Sequence, residues 1–187
     1  MTLRFDAGEV ITAMVTPFNE KREIDFSAVE KLAKHLADTS SDAILVAGTT
    51  GESPTLTHEE EYELLYAVKG VVSGSAKVIM GAGSNCTKTA IASSKKAVEI
   101  GADAILSVVP YYNKPSQSGM IEHFGEIAKN VDIPIILYNI PGRTGVNMQP
   151  ATVAFLAKEY PNIVGLKQSF PDMDVITELK SLCPDDF

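Results

Sequence analysis

The chain has 187 residues, of which 45% are hydrophobic and 21% charged, and its formal net charge is −8. That length suits one domain with a sizeable core, and the acidic balance argues against a nucleic-acid binder or attraction to anionic membranes. No run approaches the roughly 18 apolar residues of a membrane span, and charges interrupt the apolar N-terminal stretch "MTLRFDAGEVITAMV", unlike a secretory signal.

The first predicted strand lies in "VITAMVTPF", from Val10. "FSAVEKLAKHLAD" follows as an amphipathic helix, with Phe26, Val29, Leu32 and Leu36 on one stripe. "DAILVAG", from Asp42, is the second strand. "THEEEYELLYAVKGVV" opens its helix with Thr57 and Glu60 at capping-box spacing. The third strand is "KVIMGAG", from Lys77, and its helix runs to Gly101 as the C-cap. "DAILSVVP", from Asp103, is paired with the helix "SGMIEHFGEIAKNV". "IPIILYNIP", from Ile133, is paired with "QPATVAFLAKEY", where Pro150 takes the first helical position. "NIVGLK", from Asn162, and "MDVITELKSL" complete a tally of six strands and six helices.

The strand runs are continuously apolar, as suits parallel strands covered on both faces. Their regular spacing, at about the size of a strand-plus-helix unit, points to one α/β domain over residues 1–187. An open doubly wound sheet and a (β/α)8 barrel both fit this rhythm. "GAGSNC" only partly echoes a dinucleotide-binding loop. Cys86 and Cys183 belong to no CxxC pair and read as reduced cytosolic thiols. The three histidines, His35, His58 and His123, all fall on helical stretches, so no metal site is expected.

In parallel sheets chemistry gathers past the carboxyl ends of the strands. After strand 2 comes "GTTGE", after strand 4 "PYYNKP", after strand 5 "YNIPGRTG", and strand 6 ends on Lys167. A lysine there either snorkels to solvent or serves as an amine nucleophile. In isolated peptides a lysine has a pKa of about 10.4, and bringing it to about 7 takes roughly 4.6 kcal/mol of environmental bias. Burial and a nearby cation, for which Arg143 is the candidate, act in that direction. A neutral amine forms an imine with a ketone or aldehyde, and hydroxyls such as those of Tyr138 and Thr50 can move the protons.

"GTTGE", "PYYNKP", "YNIPGRTG" and "IVGLK", in this order, resemble the dihydrodipicolinate synthase family of pyruvate-dependent class I aldolases. The resemblance covers the whole chain and implies a (β/α)8 TIM barrel. It implies condensation of pyruvate with L-aspartate 4-semialdehyde to 4-hydroxy-tetrahydrodipicolinate, in lysine and diaminopimelate biosynthesis in the cytoplasm. Lys167 would form the imine of pyruvate, with no separate cofactor and no metal. Tyr138 would be the acid/base, and Thr50 would link it to Tyr112, which in the family reaches into a neighbouring subunit's site. Thr49 and Thr50 would hold the pyruvate carboxylate, and Arg143 the carboxylate of the semialdehyde. The assembly would be a homo-oligomer, dimer or tetramer. Ser53, His58, Asn85 and Tyr111 resemble positions of the family's lysine-inhibition site, whose bland reading is a helix face and subunit contact.

Several departures accompany the resemblance. Gln168 follows the lysine where the family commonly has Glu or Asp, and Pro171 enters the loop beyond it. Glu61 stands in place of a histidine and Thr89 in place of a glutamate found in feedback-inhibited members. The chain reaches "CPDDF" after the sixth unit, whereas such a barrel typically takes about 250 residues. The expectation is a piece of a longer barrel, without strands 7 and 8 and the C-terminal helices, whose strands 1 and 6 have unpaired edges. The alternatives are a sibling lyase acting on a 2-keto-3-deoxy sugar acid and a non-catalytic fragment.

Overall fold

Each apolar run becomes a strand, and each amphipathic stretch a helix, in the computed structural model, which describes residues 5–72 and 74–187. The first four residues of the N-terminal stretch read above lie outside the described residues. The order is β1 (Ile11–Ala13), α1 (Phe26–Asp38), β2 (Ala43–Val46), α2 (His58–Val72), β3 (Lys77–Gly81), α3 (Thr87–Ile100) and β4 (Ala104–Val108). It continues with α4 (Gln117–Asn130), β5 (Ile135–Asn139), α5 (Pro141–Thr144), α6 (Pro150–Glu159), β6 (Ile163–Gln168) and α7 (Met173–Leu182). Among the described residues the α-helices exceed the expected six by one. The four-residue α5 forms inside "YNIPGRTG", where Pro141 fits the first turn and Gly145, at φ +74°, closes it.

The strands follow one another in the sheet as β1-β2-β3-β4-β5-β6. Parallel registers join β1 to β2, β2 to β3 and β5 to β6. This is the strand order and direction of consecutive units of a (β/α)8 barrel. All four residues of β2 are buried, as are Ala104 to Ser107 of β4. The outermost strands, β1 and β6, are mostly half-buried, as edge strands are.

The chain divides into two units, one of residues 6–81 with 96–105, the other of Phe5 with residues 82–95 and 106–187. In the first, α1 packs on α2. Val29 and Ala33 are fully buried, flanked by the half-buried Phe26, Leu32 and Leu36 of the expected stripe. Asp25 caps α1 by accepting from the Ala28 N–H at 3.0 Å. The capping box before α2 forms as expected. The Thr57 N–H and hydroxyl donate to Glu60 Oε2 at 2.7 and 2.9 Å, and the Glu60 N–H donates back to Thr57 Oγ1 at 3.3 Å. Gly101 closes α3 at φ +95°, a conformation glycine adopts without a Cβ penalty, while the Ala102 N–H reaches the Ala97 carbonyl at 2.9 Å.

In the second unit α6 packs on α4, α7 and β6. Met120, Phe124, Ile127, Ile135, Leu137, Met148 and Leu156 are fully buried there. Pro150 occupies the start of α6, as its sequence position implied.

Candidate active site

Tyr138 and Lys167 face each other across β5 and β6. A register irregularity puts them there. Ile135 pairs with Ile163, but Ile136 pairs with Gly165, so Val164 is an extra residue on β6. The shift carries through to pair Tyr138 with Lys167 and Asn139 with Gln168. Tyr138 is buried and Lys167 half-buried. Lys167 Nζ lies 4.5 Å from the centroid of the Tyr138 ring, close enough for a cation–π contact. The amine is therefore held against an aromatic face, on a residue that is half-buried rather than enclosed.

An amide network backs this pair. Asn139 is completely buried, and its Nδ2 donates to Gln168 Oε1 at 3.0 Å and Asn147 Oδ1 at 2.7 Å. Its Oδ1 accepts from the Met148 N–H at 3.1 Å. Gln117, at the start of α4, extends the network, donating to the Asn147 carbonyl at 2.9 Å and accepting from the Gln149 N–H and the Thr152 hydroxyl. Sequence reasoning noticed Gln168 only as a departure and did not single out Asn139 or Asn147. The available signal was an asparagine closing an apolar strand, a residue type that rarely goes inside without partners.

"PYYNKP" is a strained loop in the same unit. Tyr112 sits at φ +72° and Lys114 at φ +45°, left-handed conformations that cost non-glycine residues on the order of 1–2 kcal/mol each. The loop is held by the Asn113 N–H on the Tyr111 carbonyl at 2.9 Å, Asn113 Nδ2 on the Asn85 carbonyl at 3.1 Å, and Asn85 Nδ2 on the Tyr111 carbonyl at 3.2 Å. Tyr112 is 90% exposed. Arg143 is exposed on α5, on the loop that follows Tyr138.

The other unit carries "GTTGE". Thr49 and Thr50 are exposed in a turn after β2. The turn is closed by the Glu52 N–H on the Thr49 carbonyl at 3.1 Å and by the Thr16 hydroxyl on the Gly51 carbonyl at 2.6 Å. Gly81 allows the chain at Ala47 to approach β3, since a Cβ there would lie 2.1 Å from the Ala47 carbonyl oxygen. Ser53 and His58 share one partner, the buried carboxylate of Glu61. Ser53 Oγ donates to its Oε1, and His58 Nδ1 lies 3.0 Å from its Oε2. Of the four positions expected at an effector site, Ser53 and His58 share Glu61 in this unit, and Asn85 and Tyr111 meet in the other. Among the described residues, no group of three or more His, Cys, Asp or Glu side chains is placed to hold a metal ion.

Successive parallel βα units, with a lysine at one strand end opposite a buried tyrosine, define a class: α/β proteins of the barrel type whose chemistry lies at the carboxyl ends of the strands. Residues 6–187 match the model of the Dihydrodipicolinate synthetase family, and the chain belongs to that family. It is 53% identical over 180 residues to the 4-hydroxy-tetrahydrodipicolinate synthase of Synechococcus sp., covering 96% of this chain and 58% of that protein. With the enzyme of the same name from Desulforamulus reducens the identity is 48% over 182 residues, covering 97% of this chain and 62% of that protein. The crystal structure of DHDPS from Cyanidioschyzon merolae with lysine bound superimposes with a TM-score of 0.95 at 51% identity, covering 97% of this chain and 62% of that one. Dihydrodipicolinate synthase from Aquifex aeolicus gives a TM-score of 0.93 at 48% identity, covering 95% and 60%. The chain thus spans about 60% of the length of the relatives it matches.

Proposed function

We propose that this chain carries the imine-forming half of a pyruvate-condensing lyase, of the 4-hydroxy-tetrahydrodipicolinate synthase type. The observation that carries the reading is the Tyr138–Lys167 pair, with the amine 4.5 Å from the phenol ring. The uncharged Lys167 nitrogen attacks the ketone carbon of pyruvate. A C–N bond forms, the ketone oxygen leaves as water, and both amine hydrogens depart with it. The imine nitrogen then takes up a proton and the methyl carbon loses one, giving an enamine, and its carbon attacks the aldehyde carbon of L-aspartate 4-semialdehyde. The aldehyde oxygen takes up a proton. Cyclisation through the substrate's amino group releases the lysine.

Tyr138 acts in this scheme as the acid/base beside the imine, and Thr50 relays protons between it and Tyr112. Thr49 and Thr50 hold the pyruvate carboxylate, and Arg143 holds that of the semialdehyde. The strained, outward-facing Tyr112 suits a residue that completes the site of a second copy, which favours a homo-oligomer, dimer or tetramer. The same reading places the protein in lysine and diaminopimelate biosynthesis in the cytoplasm. Lysine is the candidate effector at Ser53, His58, Asn85 and Tyr111, a reading supported by the Cyanidioschyzon merolae relative crystallised with lysine bound.

Borohydride trapping tests the proposal. The chain is incubated with pyruvate, reduced, digested and analysed by mass spectrometry. A pyruvate adduct on the Lys167 peptide, lost in Lys167→Ala, is expected. Labelling on another lysine, or none at all, would reject the assignment.

A further inference from the structure

Gln168 and Asn139 sit one residue beyond the reacting pair, in the same register step of β5 and β6. Their side chains meet through the 3.0 Å bond from Asn139 Nδ2 to Gln168 Oε1. In a strand, successive side chains point to opposite faces. The two amides therefore clasp the strands on the face away from Lys167 and Tyr138. Asn139 cannot swing away, because both ends of its amide are engaged by the 147–148 segment at 2.7 and 3.1 Å. That segment is in turn fixed by Gln117 on α4. The main chain continues the clasp, with the Ser169 N–H on the Asn139 carbonyl at 2.9 Å.

The clasp lies only four residues beyond the irregularity at Val164. A strand with an extra residue has two nearby registers, and a one-residue slip would put Leu166 rather than Lys167 opposite Tyr138. The Asn139–Gln168 bond forms across partners of one register only. Gln168 Nε2 is buried without a hydrogen-bond partner, so the side chain pays a desolvation cost to put its oxygen where Asn139 needs it.

We propose that Gln168 is a positioning residue: through the fixed amide of Asn139 it locks the β5–β6 register that sets Lys167 against Tyr138. The inference rests on the imine-forming reading above. Gln168 touches no substrate in it and acts through Asn139.

The test follows the rate of pyruvate trapping on the unaltered chain and on Gln168→Met, which keeps the length and removes the acceptor. Gln168→Glu restores an acceptor oxygen and removes the unpartnered N–H. The expected result is a maximal trapping rate about ten-fold lower in Gln168→Met, with half-saturating pyruvate unchanged and circular dichroism intact. Gln168→Glu should return to within about two-fold of the unaltered rate. If Gln168→Met does not fold, Gln168→Asn, which withdraws the amide by one methylene, should show the same loss. Unaltered rates in the variants that remove or withdraw the acceptor would overturn the positioning role alone. Equal losses in Gln168→Met and Gln168→Glu would overturn it too, because side-chain shape and not the acceptor would then matter. Absence of any adduct on the unaltered chain would overturn the imine-forming reading and this inference with it.

Discussion

Lys167 lies directly across from Tyr138 on the neighbouring parallel strand, its nitrogen 4.5 Å from the ring centroid. The phenol ring thus both seats the amine and carries, on the same residue, a hydroxyl that can exchange protons. Tyr138→Phe separates these roles, since it keeps the ring face and deletes the hydroxyl. It should lower the rate of pyruvate trapping on the order of 10²-fold, the usual scale for one acid/base group. Its melting temperature should stay within a few degrees. An unchanged rate would remove the hydroxyl from the scheme.

A second pair bears on stability. Asp103 accepts from the Val78 N–H at 2.7 Å and from Lys69 Nζ at 3.0 Å, at a half-buried position just before β4. Asp103→Ala leaves a strand N–H and an ammonium without this partner. Urea unfolding should show a loss of roughly 1–3 kcal/mol. Lys69→Ala should cost less, because the carboxylate keeps the backbone donor.

His123 supplies a pH dependence. Its Nδ1 lies 2.9 Å from the Thr87 hydroxyl, its Nε2 is buried without a partner, and burial pushes its pKa down to about 4. The folded state prefers the neutral ring, whereas the unfolded chain takes up its proton near pH 6.5. This contribution is complete above about pH 6.5 and is lost as pH falls toward 4, with a slope of at most about 1.4 kcal/mol per pH unit. Urea midpoints measured from pH 7 to pH 4.5 should fall more steeply for the unaltered chain than for His123→Gln. Parallel curves would exclude the histidine as the cause.

The two thiols should differ in reactivity. Cys86 is exposed just before α3, and hydrogen bonds from the Thr89 side chain and backbone hold its thiol below the usual range. Burial pushes Cys183 up. At pH 7 a water-soluble alkylating agent should modify Cys86 roughly ten-fold faster, the thiolate being the nucleophile. Peptide mapping would show the order, and Cys86→Ser should abolish the fast phase. Equal rates would count against the shift at Cys86.

What the sequence determined by itself was the local chemistry. Continuous apolar runs at a βα spacing specified parallel strands, and Thr57, Glu60, Gly101 and Pro150 marked helix ends where they occur. These signals are legible because capping and burial act within a few residues. The short α5 was missed because four residues are too few to show a helical period. Tertiary structure alone decided the partner of Lys167. Counting residues forward from the Ile135–Ile163 pair would set Tyr138 against Leu166, and only the extra residue at Val164 brings the lysine into place. A bulge leaves no mark in the apolar pattern of one strand, since it is a relation between two strands. The Asn139–Gln168 clasp is a relation of the same kind, between amides 29 residues apart that only the paired strands bring together.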